Sequence, residues 1–179
     1  MTTPRPYGGL SNDRLTALIS AFNPGLNRVE GVDFTYGQPE EYADARGRNT
    51  KITLTPVPGT QYEGPEDVHY TRLPLSVLSL LPAGFVKPVL IDALPFSIHA
   101  SLDAINEALG LNLIPDEVED TVYSEEQNTY TLTAIGANSL AWLDSTYEFQ
   151  VLLPGELIPL STVIVRPTLS GLVYVQPSS

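Results

Sequence analysis

The side chains with the greatest chemical potential in this sequence are its two histidines, His69 and His99, because the chain contains no cysteine. His69 lies in an alternating, strand-like run, and His99 lies near the start of a helical pattern. Neither has a second histidine nearby to complete a zinc site or a catalytic pair. We therefore expect ordinary surface or packing roles for both. The missing cysteines also exclude disulfides, thiolate nucleophiles and sulfur-based metal sites.

A group of carboxylates follows the middle of the chain. Its members are Asp116, Glu117, Glu119, Asp120, Glu125 and Glu126. Carboxylate oxygens can surround a hard cation, but this group lacks the glycine-centred loop that gives calcium sites their tight turn. We therefore interpret the group as a solvated face rather than a calcium site.

Signatures of other catalytic or cofactor sites are missing from the sequence. There is no Gly-x-Ser-x-Gly elbow for a serine nucleophile, and the Pro-Gly and Gly-Gly turns lack the lysine of a phosphate-binding loop. We predict that the chain is not an enzyme and has no catalytic residue, no cofactor and no metal ion.

Four residues are candidates for an interaction surface: Arg46, Arg48, Lys51 and Trp142. The three cations form a local cluster on a chain with a net charge of −12. They either offset neighbouring carboxylates within the fold or provide a docking point for an acidic strip on a neighbouring subunit. Trp142 is either a packing anchor in the core or an interface, or a platform on which a sugar ring stacks.

The charge composition bears on the class of partner. Lys and Arg total 9 against 21 Asp and Glu, a balance that repels phosphate backbones and anionic membrane surfaces. The longest apolar runs are too short to span a bilayer, and the first residues lack the apolar core of a secretory signal. We therefore expect that neither nucleic acid nor a membrane is a partner of this protein. We also expect that the chain is synthesised in a cytoplasm.

Two helices are predicted from apolar residues with helical spacing. The first covers about residues 12–22 and is capped by Ser11. Its apolar face consists of Leu15, Leu18, Ile19 and Phe22. The second covers residues 97–110, with Ser97 as its cap and Gly110 at the left-handed terminal position. Its apolar face consists of Ile98, Leu102, Ile105 and Leu109.

Strands are predicted where polar and apolar residues alternate or where β-branched and aromatic residues are enriched. The ranges are 32–36, 49–57, 68–73, 129–135, 148–153, 162–165 and 172–175. The runs 49–57 and 68–73 are expected to form a long-looped hairpin, and 115–120 a single helical turn. Because the connections are too short for many crossover helices, we predict an α+β fold. Its sheet or sandwich is mostly antiparallel, with the two amphipathic helices packed on it.

The predicted domain organisation is simple. Residues 1–10 are expected to form an extended N-terminal arm, residues 11–175 a single α+β domain, and residues 176–179 a tail. The sixteen prolines favour stiff loops between the strands and extended ends.

Several segments read together resemble a family of virion structural proteins of large tailed bacteriophages, of the jumbo-myovirus type. They are residues 15–26, 32–39, 48–59, 70–75, 105–113 and 117–120. These segments occur in this order along most of residues 10 to 175. The resemblance lies in residues of the structural framework and not in a catalytic motif.

This resemblance implies a place in the virion and no activity. The expected role is a capsid decoration, collar or neck, or tail or baseplate protein that acts through protein–protein contacts. Its partners would be other virion proteins, with copies arranged as homo-oligomers or arrayed at symmetric positions. The alternative is a carbohydrate-binding or host-adhesion module of the particle, motivated by nine tyrosines and Trp142.

Overall fold

Two helices, ten short strands and three 3₁₀ turns make up the fold in the computed structural model, which describes residues 7–23, 31–82 and 85–155. The helices are α1 (Ser11–Phe22) and α2 (Leu102–Leu109). The 3₁₀ turns are Leu75–Leu80, Pro115–Glu117 and Gly136–Asn138. The strands are β1 (Phe34–Tyr36), β2 (Glu40–Glu41), β3 (Thr50–Pro56), β4 (Glu66–Tyr70), β5 (Val89–Leu90), β6 (Phe96–Ser97), β7 (Val122–Tyr123), β8 (Tyr130–Ala134), β9 (Ser145–Phe149) and β10 (Val151–Leu152). This content confirms the α+β class.

The largest sheet is built around β3, which pairs antiparallel with β1, β2 and β4. In the β3–β4 pair, Thr50 lies opposite Tyr70 and Leu54 lies opposite Glu66. The predicted long-looped hairpin is therefore confirmed. Alternation along β3 buries Ile52 and Leu54 on one face of the sheet, as the period of a half-buried strand requires.

The remaining described strands form three separate pairs. The pairs β6–β7 and β8–β9 are antiparallel, and β5 pairs in parallel with β10. Antiparallel pairing thus predominates as predicted, but the strands divide among several small sheets, because many of them are only two residues long. The predicted strands 162–165 and 172–175 lie outside the described residues, as do most of the N-terminal arm and the whole C-terminal tail.

Helix α1 covers the smaller of two hydrophobic clusters. Leu15 and Ile19 of the helix pack with Phe34, Ile52 and Tyr70 of the β3 sheet. The residue before the helix is Leu10, and Ser11, which the sequence predicts as the N-cap, is instead the first helical residue. Its hydroxyl points away from the helix backbone and contacts distant parts of the chain, as described below.

Helix α2 belongs to the larger cluster and packs against β5. All four residues of its predicted apolar face are buried. Its end is also as predicted, because Gly110 adopts a left-handed conformation with φ of 70°. The helix starts later than predicted: Ser97 accepts a hydrogen bond from the Ala100 backbone in a preceding turn, and the helix begins at Leu102.

Candidate interaction groove along helix α1

A groove runs between α1, the end of β4 and the loop at residues 46–48. It consists of two clefts of about 370 and 580 Å³ that share Leu18, Tyr70 and Thr71 in their walls. We call this surface the α1 groove. Its main lining residues are Arg14, Leu18, Phe22, Arg46, Arg48 and Tyr70.

The apolar lining of the groove comes from the half of the α1 face that the core does not cover. Leu15 and Ile19 are buried, whereas Leu18 is 40% exposed and Phe22 is 79% exposed. The helical spacing correctly groups these residues on one face, but spacing alone cannot show where the sheet beneath the helix ends. Large exposed side chains in one patch are typical of interaction surfaces.

The charge of the α1 groove is opposite to that of the chain. Its described lining includes Arg14, Arg46 and Arg48 and no aspartate or glutamate, although the net charge of the protein is −12. By contrast, a cleft beside Tyr62 is lined by three carboxylates, those of Asp33, Glu63 and Glu66. The α1 groove therefore suits a partner that is both apolar and acidic.

Arg14 is positioned at one end of the groove by aromatic rings. Its guanidinium carbon lies 5.2 Å from the Trp142 ring centroid and 5.6 Å from that of Tyr7, within the range of cation–π contacts. Burial lowers the pKa of Arg14, while the charges of Tyr7 and Glu117 favour its protonated form. Its Nη1 atom is buried and has no hydrogen-bond partner among the described residues. The charge of Arg14, and not this buried N–H group, is therefore what the side chain offers to a partner at the cleft.

A buried polar network fixes the start of α1. The Ser11 hydroxyl donates a hydrogen bond to the Glu117 carboxylate and lies 3.3 Å from the Ser139 hydroxyl. The second Glu117 oxygen accepts a bond of 3.2 Å from the Ile114 backbone. Glu117 is buried, which corrects the expectation that its whole acidic group forms a solvated face. Its spacing within a charged run gives no sign of this role.

Tyr70 forms part of both clefts, and its hydroxyl is a second unpartnered donor. The hydroxyl oxygen is buried without a hydrogen-bond partner among the described residues. Burial raises the pKa of Tyr70 to about 12, because the phenolate would lose its hydration. Tyr70 and Arg14 both line the 370 Å³ cleft, so two buried donors without partners lie beneath its walls.

We expect Tyr70→Phe to raise the free energy of unfolding by about 1 kcal/mol at neutral pH, because it removes a buried hydroxyl that lacks a partner. The pKa of Tyr70 lies above the unfolded value of 10.0, so its contribution is complete below pH 10 and is lost as pH rises from 10 towards 12. The variant should therefore lose less stability over this interval. Urea unfolding at a series of pH values measures both effects.

Tyr123→Phe is the matched control for this prediction. The Tyr123 hydroxyl donates to the Thr131 carbonyl and accepts from its backbone N–H, both at 2.9 Å. Removing it should lower the free energy of unfolding by about 1 kcal/mol. If Tyr70→Phe were as destabilising as the control, the hydroxyl of Tyr70 would not be an unsatisfied donor.

The three predicted interface cations have different surroundings. Arg48 forms an ion pair with Asp44 and lowers the pKa of that carboxyl through a hydrogen bond. Lys51 lies outside the α1 groove on β3, where it contacts Glu40 at 2.9 Å and Asp67 at 3.6 Å. For these two, the interpretation that they offset neighbouring carboxylates is confirmed. Arg46 is exposed and forms no ion pair with any described residue, so its charge is available to a partner.

A protein-family model matches residues 4–179 and carries the description of a family of unknown function, DUF7941. The chain belongs to this family. No curated protein and no solved structure matches it. The DUF7941 match extends over nearly the whole sequence and therefore includes every residue of the α1 groove.

Trp142 does not lie on the surface of this DUF7941 chain. It is 2% exposed and packs edge-on against the Tyr7 ring at 5.5 Å. The prediction that it is an interface residue or a sugar platform is therefore wrong, and its alternative role as a core anchor holds. A strand-end position in sequence cannot distinguish these roles, because the covering residue, Tyr7, is distant in the chain. Tyr7 also shows that the end of the predicted N-terminal arm packs on the domain.

The two histidines have packing contacts. His69 lies against the Tyr42 ring, with centroids 4.2 Å apart. His99 Nε2 lies 2.9 Å from the Val118 carbonyl, which can only accept, so this nitrogen carries the proton. Asp120 accepts a backbone bond from His99, which lowers the pKa of Asp120. The fold thus brings together a His–Asp pair that spacing does not reveal, and the pair joins two segments.

The described part of the chain contains no cluster of three or more His, Cys, Asp or Glu residues placed to hold a metal ion. None of its helices combines the length and apolarity needed to cross a membrane.

Proposed function

We propose that this protein is a structural component of a tailed-phage virion that acts through protein–protein contacts. The observation that carries the proposal is the α1 groove, an apolar surface lined by three arginines on an otherwise acidic protein. The role is a capsid decoration, a collar or neck component, or a tail or baseplate protein. Other virion proteins, or further copies of the chain, are its partners.

The composition of the groove supports a contact role. Binding energy at interfaces is concentrated in aromatic and arginine side chains that lose water when the partner docks. Phe22 and Arg46 are such side chains, and both are exposed in the isolated chain. Neither is needed by the core: Phe22 lies beyond the residues that pack on β3, and Arg46 has no ion-pair partner among the described residues.

The virion context is supported by the resemblance of the framework segments to structural proteins of large tailed phages. Two of these segments contribute to the groove: 15–26 provides Leu18 and Phe22, and 70–75 provides Tyr70 and Thr71. The alternative, a carbohydrate-binding or host-adhesion module, depends mainly on Trp142 as a stacking platform. Because Trp142 is buried, no described contact favours that alternative.

Mass spectrometry of purified particles tests the proposal. We expect peptides of this chain at a constant ratio to the major capsid protein across the particle peak of a density gradient. Phage carrying Phe22→Asp should lose the chain from the particles, since a charge would be placed on the exposed apolar contact. Leu80→Asp is the matched control, because Leu80 is 84% exposed but lies outside the α1 groove. Absence of the wild-type chain from purified particles would refute the proposal.

A further inference from the structure

We propose that the α1 groove of one copy binds the acidic segment 116–126 of a second copy. This inference rests on the proposed contact function of the groove and names its occupant. The contact would be head to tail, because the groove and the segment are different surfaces of the same chain. Such heterologous contacts repeat, so they build rings or longer arrays.

The acidic segment carries the negative charges that the lining of the groove lacks. Its exposed carboxylates are those of Asp116, Glu119, Asp120, Glu125 and Glu126. Between them lies Val122, a large apolar residue that is 61% exposed. Strand β7, which contains Val122, belongs to a two-stranded sheet with β6, so one of its backbone edges has no strand beside it among the described residues. Acidic groups, an apolar side chain and a free strand edge are thus adjacent.

The acidic segment adjoins the start of α1 at Glu117, which bonds to Ser11, but its later residues belong to a different part of the fold from the groove. The groove is built on the smaller hydrophobic cluster, which includes Leu15, Ile19 and Tyr70. The acidic segment is attached to the larger cluster through Val118 and Tyr123. Each copy can therefore offer its groove to one neighbour and its acidic segment to another.

The spacing of charges is compatible with this contact. From Arg14 to Phe22, α1 advances roughly 12 Å, and Arg46 lines the cleft at the Phe22 end. An extended chain from Asp120 to Glu125 covers roughly 16 Å. One carboxylate can therefore approach each cationic end of the groove while Val122 lies on the apolar part between them.

Arg14 provides the positive charge at the other end of the groove. The Nη1 atom of Arg14 and the hydroxyl of Tyr70 are both buried and without partners among the described residues. A carboxylate docked on this cleft would lie near the Arg14 guanidinium, whose charge the apolar walls of the cleft screen less than water would.

Sedimentation velocity of the purified chain over a concentration series tests the contact. We expect association that weakens as salt rises, because opposite charges form the interface. Arg46→Glu should weaken it about tenfold or more, and so should the triple change Glu119→Lys, Glu125→Lys and Glu126→Lys. The controls make the same charge changes elsewhere on the surface. They are Lys87→Glu, and Glu63→Lys with Glu107→Lys and Glu148→Lys, at exposed positions outside both surfaces.

Mixing the two defective variants gives the sharpest result. The Arg46→Glu chain keeps its acidic segment, and the triple-lysine chain keeps its groove. A head-to-tail contact predicts that the mixture associates although each variant alone stays monomeric, because the intact groove of one chain binds the intact segment of the other and the two reversed surfaces also carry opposite charges. A mixture that stays monomeric would contradict the proposal.

Other outcomes overturn it. A wild-type chain that remains monomeric up to several hundred micromolar, or association that only one of the two surface variants weakens, contradicts the second copy as occupant. Association that the control variants weaken equally reflects net charge alone and also contradicts it. If particles contain the chain while the purified chain stays monomeric, the groove binds a different virion protein, and the proposed function stands without this inference.

Discussion

Replacing Arg72 with methionine is expected to lower the free energy of unfolding by about 3 kcal/mol or more, measured by urea unfolding. Arg72 is buried, and its Nη1 atom donates to the backbone carbonyls of Gly136, Ser139 and Trp142. Its Nε atom donates to the Thr50 hydroxyl at 3.0 Å. Methionine fills much of the same space but donates no hydrogen bond, so these buried acceptors would lose their partner.

We expect the Arg72→Met change to disturb the α1 groove as well as the stability of the fold. The loop that Arg72 holds includes Leu140 and Ala141, which line the groove next to Arg14. Arg46→Met is the matched control, because it makes the same chemical change at an exposed arginine without an ion pair and should alter stability by less than about 0.5 kcal/mol. Equal stability losses for the two variants would show that the Arg72 hydrogen bonds contribute nothing specific.

Replacing Trp142 with alanine is expected to lower the free energy of unfolding by about 4 kcal/mol, because it removes a large buried side chain and leaves a cavity. The ring also lies against the Arg14 guanidinium and packs against Tyr7, so both of those side chains would lose this contact. We therefore expect partner binding at the groove to fall together with stability. Thermal and urea unfolding measure the first effect.

Phe22→Ala separates the core role of an aromatic residue from an interface role. Phe22 is 79% exposed and lies on the groove, so its removal should change the free energy of unfolding by less than about 0.5 kcal/mol while weakening association. Trp142→Ala, by contrast, should change stability first. A stable Trp142→Ala protein with a binding defect alone would mean that Trp142 is an interface residue after all.

The parts of the fold that follow local rules are predictable from the sequence. Helical spacing places α1 and α2, and alternation with a turn-rich connection places the β3–β4 hairpin. The left-handed conformation of Gly110 follows from its position after the last apolar residue of α2. Each of these features is determined by residues within one or two turns of the chain, which a sequence pattern captures.

The features that depend on distant contacts are not predictable in this way. Ser11 has the residue type of an N-cap, but its hydroxyl bonds to Glu117, more than one hundred positions away. Glu117 looks like its acidic neighbours in sequence, yet it is the member whose burial holds α1 in place. Trp142 is covered by Tyr7, a contact that no spacing rule connects. Burial decides these roles, and burial depends on the whole fold.

The residues of the candidate site also divide into those that the sequence identifies and those that depend on distant contacts. Arg46 and Arg48 are identifiable in the sequence as a cationic cluster on an acidic chain, and the groove includes both. Arg14 and Tyr70 are not identifiable, because their importance lies in donor atoms that the fold buries without partners. A cationic residue in a helical pattern and a tyrosine in a strand pattern are ordinary on their own.

A reconstruction of the whole particle tests the proposed function most directly. We expect to find the chain at a symmetric position with its α1 groove filled, Phe22 buried and a carboxylate of the neighbouring chain in contact with Arg14 or Arg46. A particle that lacks the chain, or one that contains it with the α1 groove facing open solvent, would contradict a contact role for this surface.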